Sequence, residues 1–388
     1  MSQSTHSYNH LMKFSPFVPS LLLATVCACT ESNVPETALP EAGVPIRWHV
    51  ESDEGMMDSR AMIEGGNGKS ADEVLQEACT PGLGGQSIGI WADLDGGEST
   101  LYNIFADVEL VYQDKEGGNP DSYWNYPGEP LIWENYGVYR FRAYYPRSIK
   151  DYVLSTSNAT TFVIEEYNTA SMQEDVLVAY KRVNTTFDNL YIPVELNMQH
   201  ALSALQFRFR FDKGYEDTDH LTSFWLQNGA TRDFANVGLL IYGTADNPNQ
   251  INWQEAYQPL ASQRMYYWEN SGLLFDSHTG STDTVAVAYT PAGTTAGEEY
   301  TRNNGNILII PQTSDGTVNL CFTTRNGGNT VYRVPIPKET GTGINRSQFL
   351  PGHRYVYTIT ITETNLRVDL SIAPWNLLKS SFDIDLNV

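Results

Sequence analysis

The sequence predicts an all-β protein, built as two antiparallel β-sandwich domains behind a lipoprotein signal peptide. Three observations predict it. Apolar and polar residues alternate with period two in segment after segment, the pattern of a half-buried strand. Aromatic residues make up 12% of the 388-residue chain, with 23 Tyr, 15 Phe and 8 Trp, and such residues suit a pleated surface. Helical periodicity is confined to one short stretch, while 30 Gly and 19 Pro punctuate the rest.

The first element is a leader. Residues 20–26 read Ser-Leu-Leu-Leu-Ala-Thr-Val and run into Cys27-Ala28-Cys29. Seven residues are too few to span a bilayer as a helix, which takes about 20, but they suit the apolar region of a signal peptide. Its one preceding cation is Lys13, and Met12-Lys13 forms a more compact start than Met1. Ala28 at −1 and Val26 at −3 before Cys29 resemble a bacterial lipobox, with Cys27 at −2 a small departure from its usual Ser, Thr or Ala, and this makes Cys29 the acylated residue. A signal peptide cleaved to leave a soluble product is the plainer reading. The tract 29–43, polar and Pro-containing, reads as a tether.

Strands follow. Val44-Pro-Ile46-Arg-Trp48-His-Val50 alternates, as do Tyr139 to Tyr145 and Leu205 to Phe211. Tyr355 to Ile361 and Leu366 to Ile372 form a hairpin around Glu363-Thr364-Asn365. Phe382-Asp-Ile384-Asp-Leu386-Asn-Val388 alternates to the last residue. The exception is Ala71 to Ala78, two helical turns capped by Ser70 with Glu73 three residues on. Each sheet is expected to have one wet face. A break near 181–189 divides the body into 44–186 and 187–388.

Charge and motifs bound the function. With 24 Lys and Arg against 46 Asp and Glu, the net charge is −22. Nucleic-acid binding, which depends on basic patches, is disfavoured. Gly68-Lys69-Ser70 fails as a phosphate loop, because the required earlier glycine is Ile63. Gly82 and Gly84 lack a third glycine at Ser87. Asp93-Leu94-Asp95-Gly96 lacks the later acidic ligand of a calcium loop and reads as a turn. His200, at the start of a strand, reads as packing or turn. No metal, no cofactor and no catalytic constellation is implied, so the chain reads as a non-enzyme, although two carboxylates at glycosidase separation are invisible in a sequence. Cys79 and Cys321 allow a disulfide in an exported protein or two separate buried thiols.

Taken in order, several segments resemble the fimbrillin family, the lipoprotein pilins (type V) of anaerobic Gram-negative bacteria. They are the lipobox; Val44 to Val50 with Asp58-Ser59-Arg60-Ala61; Tyr139 to Pro146; Gln173 to Ala179; His200-Ala201-Leu202-Ser203; Ile310-Pro311-Gln312; and Pro351 to Tyr355 with Pro374-Trp375. Ser59 stands where the family more often has Thr, and 213–300 has no matching motif. The resemblance implies transthyretin-like sandwiches and a structural pilin on the cell surface, anchored in the outer membrane through Cys29. An Arg-specific protease would cut between Arg60 and Ala61. Polymerisation with other pilin subunits would proceed by strand exchange. Val44, Ile46, Trp48 and Val50 would then be the displaced strand, and Phe382, Ile384, Leu386 and Val388 the donor. Residues 382–388 read equally well as the last strand of their own domain; for Arg60 the plain alternative to a cleavage site is an ordinary loop arginine. A glycan-binding surface lipoprotein of a polysaccharide-uptake system is the alternative that the Trp and Tyr content suits.

Overall fold

The computed structural model describes residues 43–52, 70–95, 101–114, 123–155, 161–169, 171–211, 221–227, 235–257, 264–269, 285–286, 306–313, 318–324, 327–328, 330–335, 348–361, 366–374 and 381–384. In the first half of the chain the elements are β1 (Val44–Pro45), β2 (Trp48–Ser52), α1 (Ala71–Ala78), β3 (Ile88–Asp95), β4 (Leu101–Gln113), β5 (Tyr123–Asn125), β6 (Ile132–Trp133), β7 (Val138–Tyr145), a 3-10 helix (Arg147–Tyr152), β8 (Val153–Ser155), β9 (Phe162–Asn168), β10 (Leu177–Asn184) and β11 (Val194–His200). The second half carries β12 (Ser203–Phe211), β13 (Leu221–Gln227), β14 (Val237–Tyr242), β15 (Ile251–Tyr257), β16 (Arg264–Glu269), β17 (Val285–Ala286), β18 (Asn306–Ile309), β19 (Gln312–Thr313), β20 (Asn319–Thr324), β21 (Tyr332–Pro335), β22 (Gln348–Phe349), β23 (His353–Ile361), β24 (Leu366–Pro374) and β25 (Ser381–Ile384). The fold is all-β, as the alternation predicts.

Seven strands close on themselves in the order β10-β11-β2-β5-β4-β3-β7. A closed sheet buries its inner face against itself, and the interior holds Ile46, Trp48, Val50, Ile90, Trp124, Trp133, Phe141, Leu177 and Leu196, all buried. Helix α1 adds Leu75 and Cys79 to the same core. Its start is set as the sequence indicates. The Ser70 hydroxyl accepts from the Glu73 N–H (3.2 Å), and the Glu73 carboxylate accepts from the Ser70 N–H (2.6 Å). This reciprocal pair satisfies two otherwise orphaned donors.

A four-stranded sheet, β15-β14-β9-β8, belongs to a second core that includes the outer face of the ring. Trp91 of β3 stacks on Tyr144 of β7 (centroids 5.2 Å apart), and both meet Phe162 of β9 at 5.7 and 6.3 Å. Gly89 permits this layer, because a Cβ there would lie 2.1 Å from the Tyr144 ring. The expectation of one wet face per sheet therefore fails for β3 and β7. Alternation is lost along β3, whose residues Ile88 to Leu94 are all buried, because odd and even side chains enter different cores.

Asp93 also departs from expectation. It lies within β3 and not in a turn. Its carboxylate accepts from Arg142 of β7 at 2.7 Å, with the two side chains only 10% and 1% exposed. Arg142 also lies over the Trp91 ring (5.8 Å) and donates to the Thr161 carbonyl. Burial pulls the guanidinium down from its ordinary range, and the Asp93 charge opposes that shift. Asp95, at the end of β3, pairs with Arg140 at 2.8 Å. Partnered carboxylates are tolerated inside a strand where lone ones are not, which is why an acidic, turn-like sequence continues as strand.

The main remaining sheet runs β17-β12-β23-β24-β25, with β18 also on β12. The hairpin appears as β23 and β24, in register from His353↔Pro374 to Ile361↔Leu366. Most ladders are antiparallel, but β2 on β11 and β12 on β23 are parallel. His200 closes β11, buried, with Nδ1 2.9 Å from a carboxylate oxygen of buried Asp175. Cys79 and Cys321 are separate buried thiols, and burial pushes the Cys79 thiol up.

Candidate polymerisation site

The leading segment, residues 43–52, is built by its own alternation. Val44, Ile46, Trp48, Val50 and Ser52 are buried, whereas Pro45, Arg47, His49 and Glu51 are exposed. The inward set contains the four apolar residues to which the family resemblance assigns the displaced strand. Trp48 is the anchor, edge-on to Phe141 at 5.4 Å and to Phe105 at 6.4 Å. Four such side chains contribute about 6–12 kcal/mol of gross apolar burial, at roughly 1.5–3 kcal/mol each.

Backbone bonds hold the segment on both sides. Strand β2 runs parallel to β11 from Trp48↔Val194 to Ser52↔Met198. On its other side β2 meets β5 at Trp48↔Trp124. Upstream, Val44 faces Trp133 and Pro45 faces Ile132. The Ile46 N–H donates to the Leu131 carbonyl and the Val194 N–H to the Arg47 carbonyl, both at 2.8 Å. The Ser52 N–H donates to Asp72 Oδ1 at 2.7 Å, which ties the strand's end to α1.

In the ring path β2 is the link between β11 and β5. Taking it away opens the ring, strips one side of the β11 ladder and bares the core facing Trp48. Unpaired amides beside an apolar trough form a template for another strand. Only residues 53–69 join this segment to α1, and Arg60 and Ala61 fall within them.

Strand β25 carries Phe382 and Ile384 and is an edge, pairing with β24 from Leu370↔Phe382 to Val368↔Ile384. Within the subunit, then, residues 381–384 complete their own sheet. Cys29, Arg60, Ala61, Leu386 and Val388 lie outside the described residues. Sequence reasoning missed Asp72 as the partner of Ser52; a first-turn acid on a capped helix is its only local signal. It also missed the pairing of β11 with β2, although Val194 to His200 alternates plainly.

The fimbrillin-like family model matches residues 83–375 of the chain. Among solved structures, the chain is similar to a fimbrial protein from Bacteroides vulgatus, at 13% identity over 83% of this chain and 99% of that one, with a TM-score of 0.49. It is also similar to a fimbrial assembly protein from Parabacteroides distasonis, at 10% identity over 77% of this chain and 91% of that one, with a TM-score of 0.38. No curated protein matches it.

Proposed function

The chain belongs to the fimbrillin-like family, and from that membership we propose that it is a structural subunit of a surface fimbria that supports adhesion. It is exported as a lipoprotein acylated on Cys29 and held in the outer membrane. An Arg-specific protease cuts it after Arg60, leaving Ala61 as the new amino terminus. Residues 44–50 are then no longer joined covalently to the body. A neighbouring subunit's residues 382–388 take their place, with Phe382, Ile384, Leu386 and Val388 in the positions left by Val44, Ile46, Trp48 and Val50.

The observation that carries this reading is the leading segment. It fills a slot between β11 and β5 with four inward apolar side chains, and the proposed cut lies in the connection that follows it. Before the cut the slot is occupied and assembly is blocked. After it, exchange swaps one set of main-chain bonds for another, with alternate side chains fixing the register.

Two substitutions test the processing and the anchor. Arg60→Ala is expected to leave a longer surface protein that forms no polymer, as read by mass spectrometry and by high-mass ladders on gels. A variant that matures to the wild-type mass overturns the proposed cut. In an Arg60→Ala chain, which keeps Cys29 joined to the body, Cys29→Ala is expected to move the protein from the membrane fraction to the soluble one. Each buried CH₂ contributes about 0.8 kcal/mol and stable anchoring takes more than one chain, so losing all acyl chains at once should abolish retention. A mutant that still needs detergent for extraction places the anchor elsewhere.

A further inference from the structure

One end of the ring carries exposed apolar side chains around the point where the leading segment begins. Ile132 is 45% exposed although it faces Pro45 across a ladder. Gly43 packs on it so closely that a Cβ there would lie 3.0 Å from Ile132 Cδ1. On the β11 side of the segment, Tyr191 and Ile192 are 57% and 58% exposed. They precede Val194, whose N–H bonds to the Arg47 carbonyl. Phe187, 62% exposed, sits in the same turn. That turn is fastened to the ring end: the Leu190 carbonyl accepts from Trp133 Nε1 at 3.0 Å, and the Gly137 N–H donates to Thr185 Oγ1 at 2.8 Å. Exposed apolar residues grouped at one place mark contact surfaces, and aromatic residues are enriched in the cores of such contacts.

The polarity of the slot indicates what covers them, and this step rests on the strand-exchange reading above. A replacement strand that keeps the parallel ladder on β11 and the antiparallel contact with β5 runs in the direction of residues 44 to 52. The chain preceding that strand then leaves the ring at the Val44 end. For residues 382–388 the preceding chain is the neighbour's folded body, joined to its donor strand through the short stretch 375–381. The body must therefore lie over this end. Exposed carboxylates nearby (Glu134 and Asp188) disfavour an anionic lipid surface as the occupant.

We infer that Ile132, Phe187, Tyr191 and Ile192 form the docking surface for a second copy of this chain, against which the body of the strand-donating subunit rests. The contact joins subunit ends outside the slot, so a subunit with a sound slot and a damaged end assembles poorly.

The test uses the full chain made without its acyl group, cut after Arg60, and followed by light scattering. Tyr191→Asp with Ile192→Asp is expected to leave the circular dichroism and melting curve of the uncut protein unchanged. After the cut, polymer formation should slow at least tenfold. A photo-cross-linker at position 187, where the parent side chain is largely solvated, should join neighbours through a peptide from 366–381. Polymerisation at the wild-type rate, with no cross-link between copies, overturns the docking surface while leaving strand exchange standing. A wild-type chain that stays monomeric after the cut overturns strand exchange, and this inference with it. If instead the uncut wild type sediments with phosphatidylethanolamine–phosphatidylglycerol vesicles and the double variant does not, the surface belongs to a bilayer and the inference fails.

Discussion

A chain cut after Arg60 and ending at Ser381 is expected to remain a folded monomer and to lose polymer formation altogether. The fold should survive because β25 is an edge. Among the described residues it pairs only with β24, over four positions, whereas β24 keeps its nine-position ladder with β23. Removing an edge strand exposes one row of amides and leaves the interior of the sheet in place. Polymer should vanish because residues 382–388 supply the whole alternating apolar set offered to the slot, about 6–12 kcal/mol of gross burial at roughly 1.5–3 kcal/mol per side chain. The ordering costs of association are of similar size, so no partial donor remains useful. Size-exclusion chromatography and circular dichroism separate the outcomes. An unfolded product would make β25 an essential part of its own sheet, and undiminished polymer would remove residues 382–388 as donor.

The second large effect concerns stability. Asp93→Ala is expected to cost about 3–5 kcal/mol, because it breaks a buried ion pair by removing one partner. Arg142 keeps the Thr161 carbonyl and the Trp91 face, but neither carries a compensating charge. Replacing both partners with apolar residues of similar volume, Asp93→Leu with Arg142→Met, should recover most of the loss, since the desolvation penalty disappears with the charges. Lys181–Glu195 makes the contrast: at 3.2 Å with side chains 35% and 60% exposed, its removal should cost no more than about 1 kcal/mol. Urea unfolding of the uncut chain measures all three. A shift below about 0.5 kcal/mol for Asp93→Ala, a surface-like value, would contradict a structural role for the buried pair.

How much of this was legible in the sequence depends on the range of the interaction. The period-two run from Val44 to Val50 reads directly as inward and outward faces, because side-chain direction in a strand is local. The helix at Ala71–Ala78 was equally legible, since Ser70 and Glu73 satisfy each other within one turn. Partner choice was not. Nothing in Trp48 to Ser52 says that its neighbour lies almost 150 residues on, or that the ladder is parallel. Double burial was hidden as well: the unbroken burial of Ile88 to Leu94 follows from the sheet containing Phe162 and Tyr242 closing over the ring. Asp93 looked like turn chemistry because its partner, Arg142, is 49 residues away. Of the proposed site, the inward set Val44, Ile46, Trp48 and Val50 was legible in full. Asp72 was not, because a first-turn carboxylate on a capped helix ordinarily serves only the helix itself.

The central claim is that the strand holding the ring closed in the subunit is absent from the polymer. Peptide mapping of high-mass fimbriae sheared from cells tests this directly, with the amino terminus read by mass spectrometry. Subunits in the polymer should begin at Ala61 and yield no peptide from residues 44–52. A polymer whose subunits retain Val44 to Ser52 would contradict the account.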